Sequence, residues 1–101
     1  MTDSTALVVL VLLRARPGRE QDVVAEVAPQ LERIRAQEPA CLSIAVHRHT
    51  EDPCRFMLYE TWADRASFDE FVSTRPYMRE YFERLDALLE SRELTRWEVV
   101  G

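Results

Sequence analysis

The residues with the clearest chemical potential are an acid and an indole two positions apart, Glu60 and Trp62, at the end of an apolar stretch. Residues two apart on a strand share one face of the sheet. If that face packs against helices, the carboxyl group is partly desolvated and its proton affinity rises, which suits proton transfer. If it faces solvent or a second sheet, the carboxylate is a structural ion-pair residue. A shift of one residue in strand register inverts the facing, so both interpretations stay open.

Two histidines and three tyrosines are the other candidates for acid–base or hydrogen-bonding chemistry. His47 and His49 share a strand face, but no carboxylate has a spacing that would orient either ring, which favours two half-exposed side chains. Tyr59, Tyr77 and Tyr81 could each hold an oxygenated aromatic compound through the phenol group. Tyr77 and Tyr81 are also four residues apart on an amphipathic helix, a spacing that core packing explains.

Several kinds of site have no motif in this sequence. Gly18 and Gly101 are the only glycines, which excludes a Gly-rich phosphate loop. The cysteines and histidines form no CxxC or HExxH zinc unit, and no serine stands in a GxSxG context. We therefore expect no metal site from these motifs.

Charge and hydropathy exclude two classes of partner. The 101 residues include 13 basic side chains, all arginine, against 18 acidic ones, for a net charge of −5. The arginines are spread along the chain, so we expect no binding to nucleic acid or to an anionic membrane. The longest apolar run, residues 6–13, is too short to span a bilayer, and residues 1–5 carry an acid and no base, unlike a leader. These features favour a soluble cytoplasmic protein.

The apolar periodicity predicts four strands and three helices. Strands are expected over residues 6–15, 41–50, 55–62 and 94–100, and helices over residues 19–37, 65–73 and 76–90. Asp64 is a plausible cap of the second helix, Pro29 predicts a kink in the first, and Arg75, Arg79 and Arg84 are interpreted as the solvated side of the third. Cys41 and Cys54 bracket the predicted hairpin more than about 20 Å apart, too far for a disulfide.

This order of segments predicts the fold and the assembly. A single α+β domain over residues 1–101 is expected, with the ferredoxin-like βαββαβ arrangement: a four-stranded antiparallel sheet with helices on one face. The first strand is apolar at every position from Ala6 to Leu13, so both of its faces should be buried. Because the helices cover only one face of the sheet, we expect the other to pack against the same face of a second copy in a homodimer.

The string EPACLSIAVHRHTEDPCRFMLYETWADRASFDEF, residues 38–71, resembles the antibiotic biosynthesis monooxygenase family. The family pattern runs acid-Pro-Gly-x-Leu, a strand, Asp-Pro-x-x-Phe, then Glu-x-Trp before a helix, and the resemblance extends over roughly residues 6–99. It implies a homodimer of ferredoxin-like subunits, each with an apolar pocket between sheet and helices. It also implies a chemistry, since some members oxygenate polycyclic aromatic phenols without flavin, metal or haem.

The resemblance carries over few functional residues. Trp62 matches the family tryptophan that lines the pocket in aromatic-oxidising members, and Glu60 matches the acid of the motif. Phe71 and Tyr77 stand where many members have histidines, and Leu58 stands where quinone-forming members have asparagine. The asparagine and histidine of the haem-degrading branch are also missing, so haem is not expected as a ligand.

The leading hypothesis is a cofactor-independent monooxygenase that uses molecular oxygen to oxidise a small hydrophobic aromatic phenol. The candidate catalytic residues are Trp62, Tyr59, His47 and Tyr77, and the candidate pocket residues are Leu58, Glu60, Phe68, Phe71 and Tyr81. A non-catalytic dimeric binding protein is the first alternative, because the family histidines are replaced. An isomerase or lyase of a small carbonyl compound is the second, and it needs a base that the sequence does not clearly supply.

Overall fold

The structure, a computed structural model, describes residues 6–101. Its elements are β1 (Leu7–Ala15), α1 (Glu20–Gln37), β2 (Cys41–Arg48), β3 (Arg55–Trp62), α2 (Arg65–Thr74), α3 (Pro76–Asp86) and β4 (Leu89–Glu98). Residues 1–5, on which the expectation about a leader rested, lie outside the described part. Within that part, no helix combines the length and the apolarity needed to cross a membrane.

The four strands form one antiparallel sheet in the order β2-β3-β1-β4, with β1 paired on both edges. The three helices cover one face of this sheet. The ferredoxin-like α+β fold predicted from the order of segments is therefore confirmed. The central place of β1 follows from its sequence, because an interior strand is the position that best buries an uninterrupted apolar run.

β1 divides its side chains between the two faces of the sheet. Alternate residues are buried beneath the helices, namely Leu7, Val9, Val11, Leu13 and Ala15. Burying an aliphatic side chain of this size contributes about 1.5–3 kcal/mol, so this row is a large part of the core. The residues between them face the opposite side, where Leu12 is 43% exposed.

Local signals fix the ends of several elements. The carboxylate of Asp64 accepts the backbone N–H of Ser67 at 2.7 Å, which confirms the predicted cap of α2. Pro76 begins α3, where its missing N–H costs nothing. Gly18 has a φ of 85°, so the turn between β1 and α1 needs glycine. α1 continues through Pro29 as one helix.

The hairpin between β2 and β3 closes through a histidine. β2 ends at Arg48, two residues before the predicted end, and Nδ1 of His49 accepts the backbone N–H groups of Glu51 and Asp52 at 3.1 and 3.0 Å. His49 is thus a turn residue. Both cysteines are free, as the distance argument predicted.

The boundary between α3 and β4 differs from the prediction. α3 ends at Asp86 and β4 begins at Leu89, whereas the periodicity predicted a helix to residue 90 and a strand from residue 94. The spacing of the buried leucines fits a helix. Pairing with β1 overrides it, because Leu88 accepts the backbone N–H of Arg16 at 2.9 Å and Leu89 pairs with Ala15.

The face of the sheet opposite the helices, called the open face below, is mainly apolar at its centre. From the strand register it carries Ser43, Ala45 and His47 of β2, Met57, Tyr59 and Thr61 of β3, Val8, Leu10 and Leu12 of β1, and Glu93, Thr95 and Trp97 of β4. Tyr59 is 46% exposed and Trp97 is 53% exposed. Within residues 6–101, no helix packs on this face.

Candidate functional site

The register of β3 places Glu60 and Trp62 on the helix-covered face, which decides the question that the sequence left open. Glu60 is 6% exposed and Trp62 is fully buried. The indole Nε1–H of Trp62 donates to Oε1 of Glu60 at 2.8 Å. The two-residue spacing therefore positions an acid and the donor that orients it on one side of the sheet.

The environment of Glu60 is unfavourable to its charge. Burial raises the pKa of the Glu60 carboxyl from 4.5 to about 7, although the Trp62 hydrogen bond partly opposes this shift. No salt bridge to Glu60 occurs within residues 6–101. Its second oxygen, Oε2, accepts no hydrogen bond from any described residue. A carboxyl group in this state can exchange a proton near neutral pH.

Tyr81 of α3 lies at the same cavity as Glu60. Its side chain is 4% exposed, and its hydroxyl has no hydrogen-bond partner in the described part of the chain. Burial raises the pKa of Tyr81, and the nearby charge of Glu60 raises it further. Buried hydroxyl groups normally find a partner. Here two polar groups at one cavity each keep a hydrogen-bonding position unused.

The cavity, called the sheet–helix pocket below, lies between the sheet and the three helices. Leu58, Glu60, Phe71, Tyr81 and Arg92 are among its lining residues, and most of the lining is apolar. Its enclosed volume is about 30 Å³, which is room for one or two water molecules. An aromatic ring can therefore enter only if side chains at the mouth move.

An aromatic cluster forms the wall of the pocket beside α2. The Trp62 ring lies 5.3 Å from the Phe68 ring in an edge-to-face arrangement and 4.7 Å from the Phe71 ring. Phe68 and Phe71 line the cavity, and Trp62 lies behind them rather than at its surface. Trp62 thus supports both the aromatic wall and the Glu60 carboxylate.

Phe82 and Arg92 mark the mouth of the pocket. The guanidinium carbon of Arg92 lies 4.3 Å from the centre of the Phe82 ring. Asp86 holds the same guanidinium through two hydrogen bonds of 2.8 and 3.0 Å. The half-buried Phe82 is therefore stacked under a fixed cation. A ligand that enters here must displace this stack.

Three of the candidate catalytic residues lie away from the pocket, and the fourth, Trp62, lies behind its aromatic wall. Tyr59 and His47 lie on the open face, on the opposite side of the sheet, and Nδ1 of His47 is 3.2 Å from the backbone oxygen of Met57. Tyr77 donates its hydroxyl to Glu38 at 2.7 Å. Alternation along the strands separates the first two from Glu60. The four candidate catalytic side chains therefore do not form one constellation.

The hydroxyl of Tyr77 is bound to a separate ion pair between Glu38, which is buried, and Arg75, which is partly exposed. Both carboxylate oxygens of Glu38 accept from the guanidinium of Arg75, at 2.8 and 2.9 Å. This corrects the interpretation of Arg75 as a solvated residue, because Arg75 joins the end of α1 to the junction of α2 and α3. Glu38 lies 37 positions before its partner, so no local pattern indicates the pair.

Two residues at the mouth were not predicted from the sequence. The apolar periodicity predicted a helix that continues past Asp86 and left Arg92 in a loop, and no pattern indicated a role for Phe82 in the pocket. The pattern that could have indicated Arg92 is the alternation of β4, in which Arg92 and Leu94 point to the helix-covered side. No group of three potential metal ligands occurs within residues 6–101.

The fold and this pocket define a class: an α+β protein with a small apolar cavity between a ferredoxin-like sheet and its helices. Residues 6–91 match the model of the antibiotic biosynthesis monooxygenase family, and the chain belongs to that family. An uncharacterised protein from Synechocystis is 28% identical over 77 residues, which is 76% of this chain and 51% of that protein. The chain therefore spans about half the length of this curated relative.

Solved structures share the fold at low sequence identity. A protein from Shewanella oneidensis superposes with a TM-score of 0.85 at 20% identity, covering 96% of this chain and 93% of that chain. SnoaB, a cofactor-independent oxygenase from Streptomyces nogalater solved as a single-residue mutant, superposes with a TM-score of 0.84 at 13% identity, covering 96% and 95%. These likenesses show the common fold.

Proposed function

We propose that this protein is a cofactor-independent monooxygenase that oxidises a small hydrophobic aromatic phenol in the sheet–helix pocket. One observation carries this proposal. The Glu60 carboxyl and the Tyr81 hydroxyl are buried at one apolar cavity, and each has an unused hydrogen-bonding position among the described residues. A flat apolar molecule with one hydroxyl group matches that arrangement.

The chemistry needs little from the protein beyond binding and orientation. An ionised phenol is electron-rich enough to pass an electron to molecular oxygen. When the phenol is oxidised to a para-quinone, the ring carbon opposite the hydroxyl loses its one hydrogen and gains one oxygen atom, and the hydroxyl group loses its hydrogen. The second oxygen atom leaves with these two hydrogens as water. The substrate supplies all the electrons. The role of the pocket is to hold the phenol near an acid–base group and to exclude solvent.

The aromatic wall supports a ring-shaped substrate. Phe68 and Phe71 present their rings to the cavity, and offset or edge-to-face contacts with a substrate ring contribute about 0.5–1.5 kcal/mol each beyond burial. Room for the ring comes from movement of Phe82, the half-buried residue at the mouth. The fold is shared with SnoaB, a cofactor-independent oxygenase, and this likeness agrees with the proposed type of reaction.

The proposed assembly is a homodimer in which the open faces of two copies pack together. Leu10 and Leu12 lie at the centre of this face, and Tyr59 and Trp97 stand beside them with about half of their surface exposed. A contiguous apolar surface of this kind is typical of an interface. Burying it on a second copy would leave the sheet–helix pocket of each subunit unobstructed.

A second candidate function is favoured by Glu60 itself. An isomerase that moves a proton next to a carbonyl group needs a base near neutral pH, and burial raises the pKa of Glu60 to about 7. This reaction consumes no oxygen. The non-catalytic binding protein, in contrast, predicts stabilisation by the ligand with no turnover of either kind.

Oxygen uptake tests the proposed function. Flavin-free, chelator-treated protein is mixed with tricyclic anthrones in an oxygen electrode, and we expect consumption above the uncatalysed rate. Tyr81→Phe and Tyr59→Phe form a matched pair, since each removes one hydroxyl, inside the pocket and on the open face respectively. The first should reduce the rate by about tenfold or more and the second should not. If Trp62→Ala leaves the rate of oxygen uptake unchanged, the proposed monooxygenase function is wrong.

A further inference from the structure

We propose that Glu60 is the residue that takes the phenol proton, through its free oxygen Oε2, and that the Tyr81 hydroxyl donates to the phenolate that results. This inference rests on the proposed function and names the acid–base pair of the same pocket. The O–H bond of the phenol breaks, its electron pair stays on the phenol oxygen, and the proton moves to Glu60. No other reactant is needed.

The orientation of the Glu60 carboxyl supports this role. Trp62 donates its Nε1–H to Oε1 at 2.8 Å, which fixes one oxygen and leaves the other for a ligand. The side chain is 6% exposed, so a hydrogen-bond partner for Oε2 must come from a molecule in the cavity. Trp62 acts as a positioning residue in this arrangement, because it lies behind Phe68 and Phe71.

Tyr81 supplies the complementary hydrogen bond. Its hydroxyl is buried at the cavity and unpartnered among residues 6–101, and burial with the charge of Glu60 raises its pKa. Tyr81 therefore keeps its proton while Glu60 exchanges one. A phenol oxygen between the two groups donates to the carboxylate before transfer and accepts from Tyr81 after it, so both hydrogen bonds are retained.

The surroundings leave Glu60 as the group that titrates. The titratable or charged groups that face it are Tyr81 of α3, Cys41 of β2 and, toward the mouth, Arg92 of β4. Burial raises the pKa of Cys41 to about 11. Arg96 of β4 lies opposite Val9 of β1 in the strand register, and its guanidinium donates to Asp69 at 3.3 Å.

Counting protons on ligand binding tests the proposal without any turnover. The probe is 4-nitrophenol, an acidic phenol whose phenolate form absorbs visible light. Calorimetric titration at pH 8.5 in buffers of different ionisation enthalpy gives the number of protons taken up. Free Glu60 and the free probe are then both ionised, whereas the complex holds one charge, so we expect uptake of about one proton. Near pH 7 the uptake should fall to about zero, because Glu60 and the free probe are then each about half protonated and together hold about one proton.

Variants separate proton transfer from a purely structural role. Glu60→Gln keeps an acceptor for Trp62 but cannot take a proton, so we expect the probe to bind as phenolate with no proton uptake. Tyr81→Phe should keep the uptake of one proton and weaken binding by about tenfold. Glu83→Gln, which changes an exposed acid on α3, should match the wild-type protein in both respects.

A further measurement on the wild-type chain does not depend on the folding of any variant. 4-Nitroanisole, the methyl ether of the probe, cannot donate to Glu60, and we expect it to bind at least about tenfold more weakly. Equal affinity for the ether, or equal proton uptake by wild-type protein and Glu60→Gln, would overturn the proposal. If anthrones cause no oxygen uptake, the proposed monooxygenase activity is wrong, whereas the expected proton uptake on binding of the probe does not change.

Discussion

Replacing Glu60 with glutamine should change how the stability of the protein depends on pH. The carboxyl has a pKa of about 7 in the folded protein, against an ordinary value of 4.5. Between these values the folded chain holds a proton that the unfolded chain has lost, so the wild-type free energy of unfolding falls as the pH rises. A difference of about 2.5 pKa units corresponds to about 3 kcal/mol. The destabilisation of the folded protein by the ionised Glu60 carboxylate is absent near pH 4 and complete above pH 8.

Glutamine removes this titration while it keeps the volume and the acceptor for Trp62. The stability of Glu60→Gln minus that of the wild-type protein should therefore increase by about 3 kcal/mol from pH 4.5 to pH 8. Urea unfolding at one fixed protein concentration measures the free energy of unfolding of both proteins at each pH. The contributions of the other titrating groups cancel in the difference between the two proteins. Glu83→Gln is the exposed control, whose difference should stay flat. A flat difference for Glu60→Gln as well would show that Glu60 ionises like a surface acid.

The remaining predictions concern other parts of the fold. Glu38→Gln should lower the free energy of unfolding at pH 7 by about 2 kcal/mol, less than for a fully buried pair because a third of Arg75 is exposed. Since Arg75 lowers the pKa of Glu38, this loss should disappear in urea titrations as the pH falls below 4.5. Leu10→Arg should convert a homodimer to a monomer in sedimentation velocity; a persisting dimer would exclude the open face as the interface. Phe82→Ala should speed the association of 4-nitrophenol in stopped-flow measurements, and a slower rate would contradict its place at the mouth.

Elements with strong local signals could be predicted from the sequence. The apolar run of β1 indicated a central strand, and the Asp64 cap gave the start of α2 to the residue. The α3–β4 boundary could not be predicted in this way, because leucines 85, 88 and 89 have helical spacing and only pairing with Ala15 of β1 places the last one in a strand.

The site depended more on tertiary structure than the fold did. The two-residue spacing predicted that Glu60 and Trp62 share a face of the sheet. Which face they occupy depends on the strand register, and a shift of one residue would move both to the other face. Tyr59 and Tyr81 are equivalent candidates by residue type alone. Alternation along β3 puts Tyr59 on the open face of the sheet, on the side opposite the pocket. The contact between Arg92 and Phe82 joins β4 to α3 and has no local pattern that would predict it.

A crystal structure of the protein with 4-nitrophenol bound tests the central claim most directly. The phenol oxygen should lie about 2.5–3.0 Å from both Oε2 of Glu60 and the hydroxyl of Tyr81, with the ring against Phe71 and with Phe82 displaced from its place under Arg92. A ring bound on the open face, or one in the pocket whose oxygen points away from Glu60, would contradict the account.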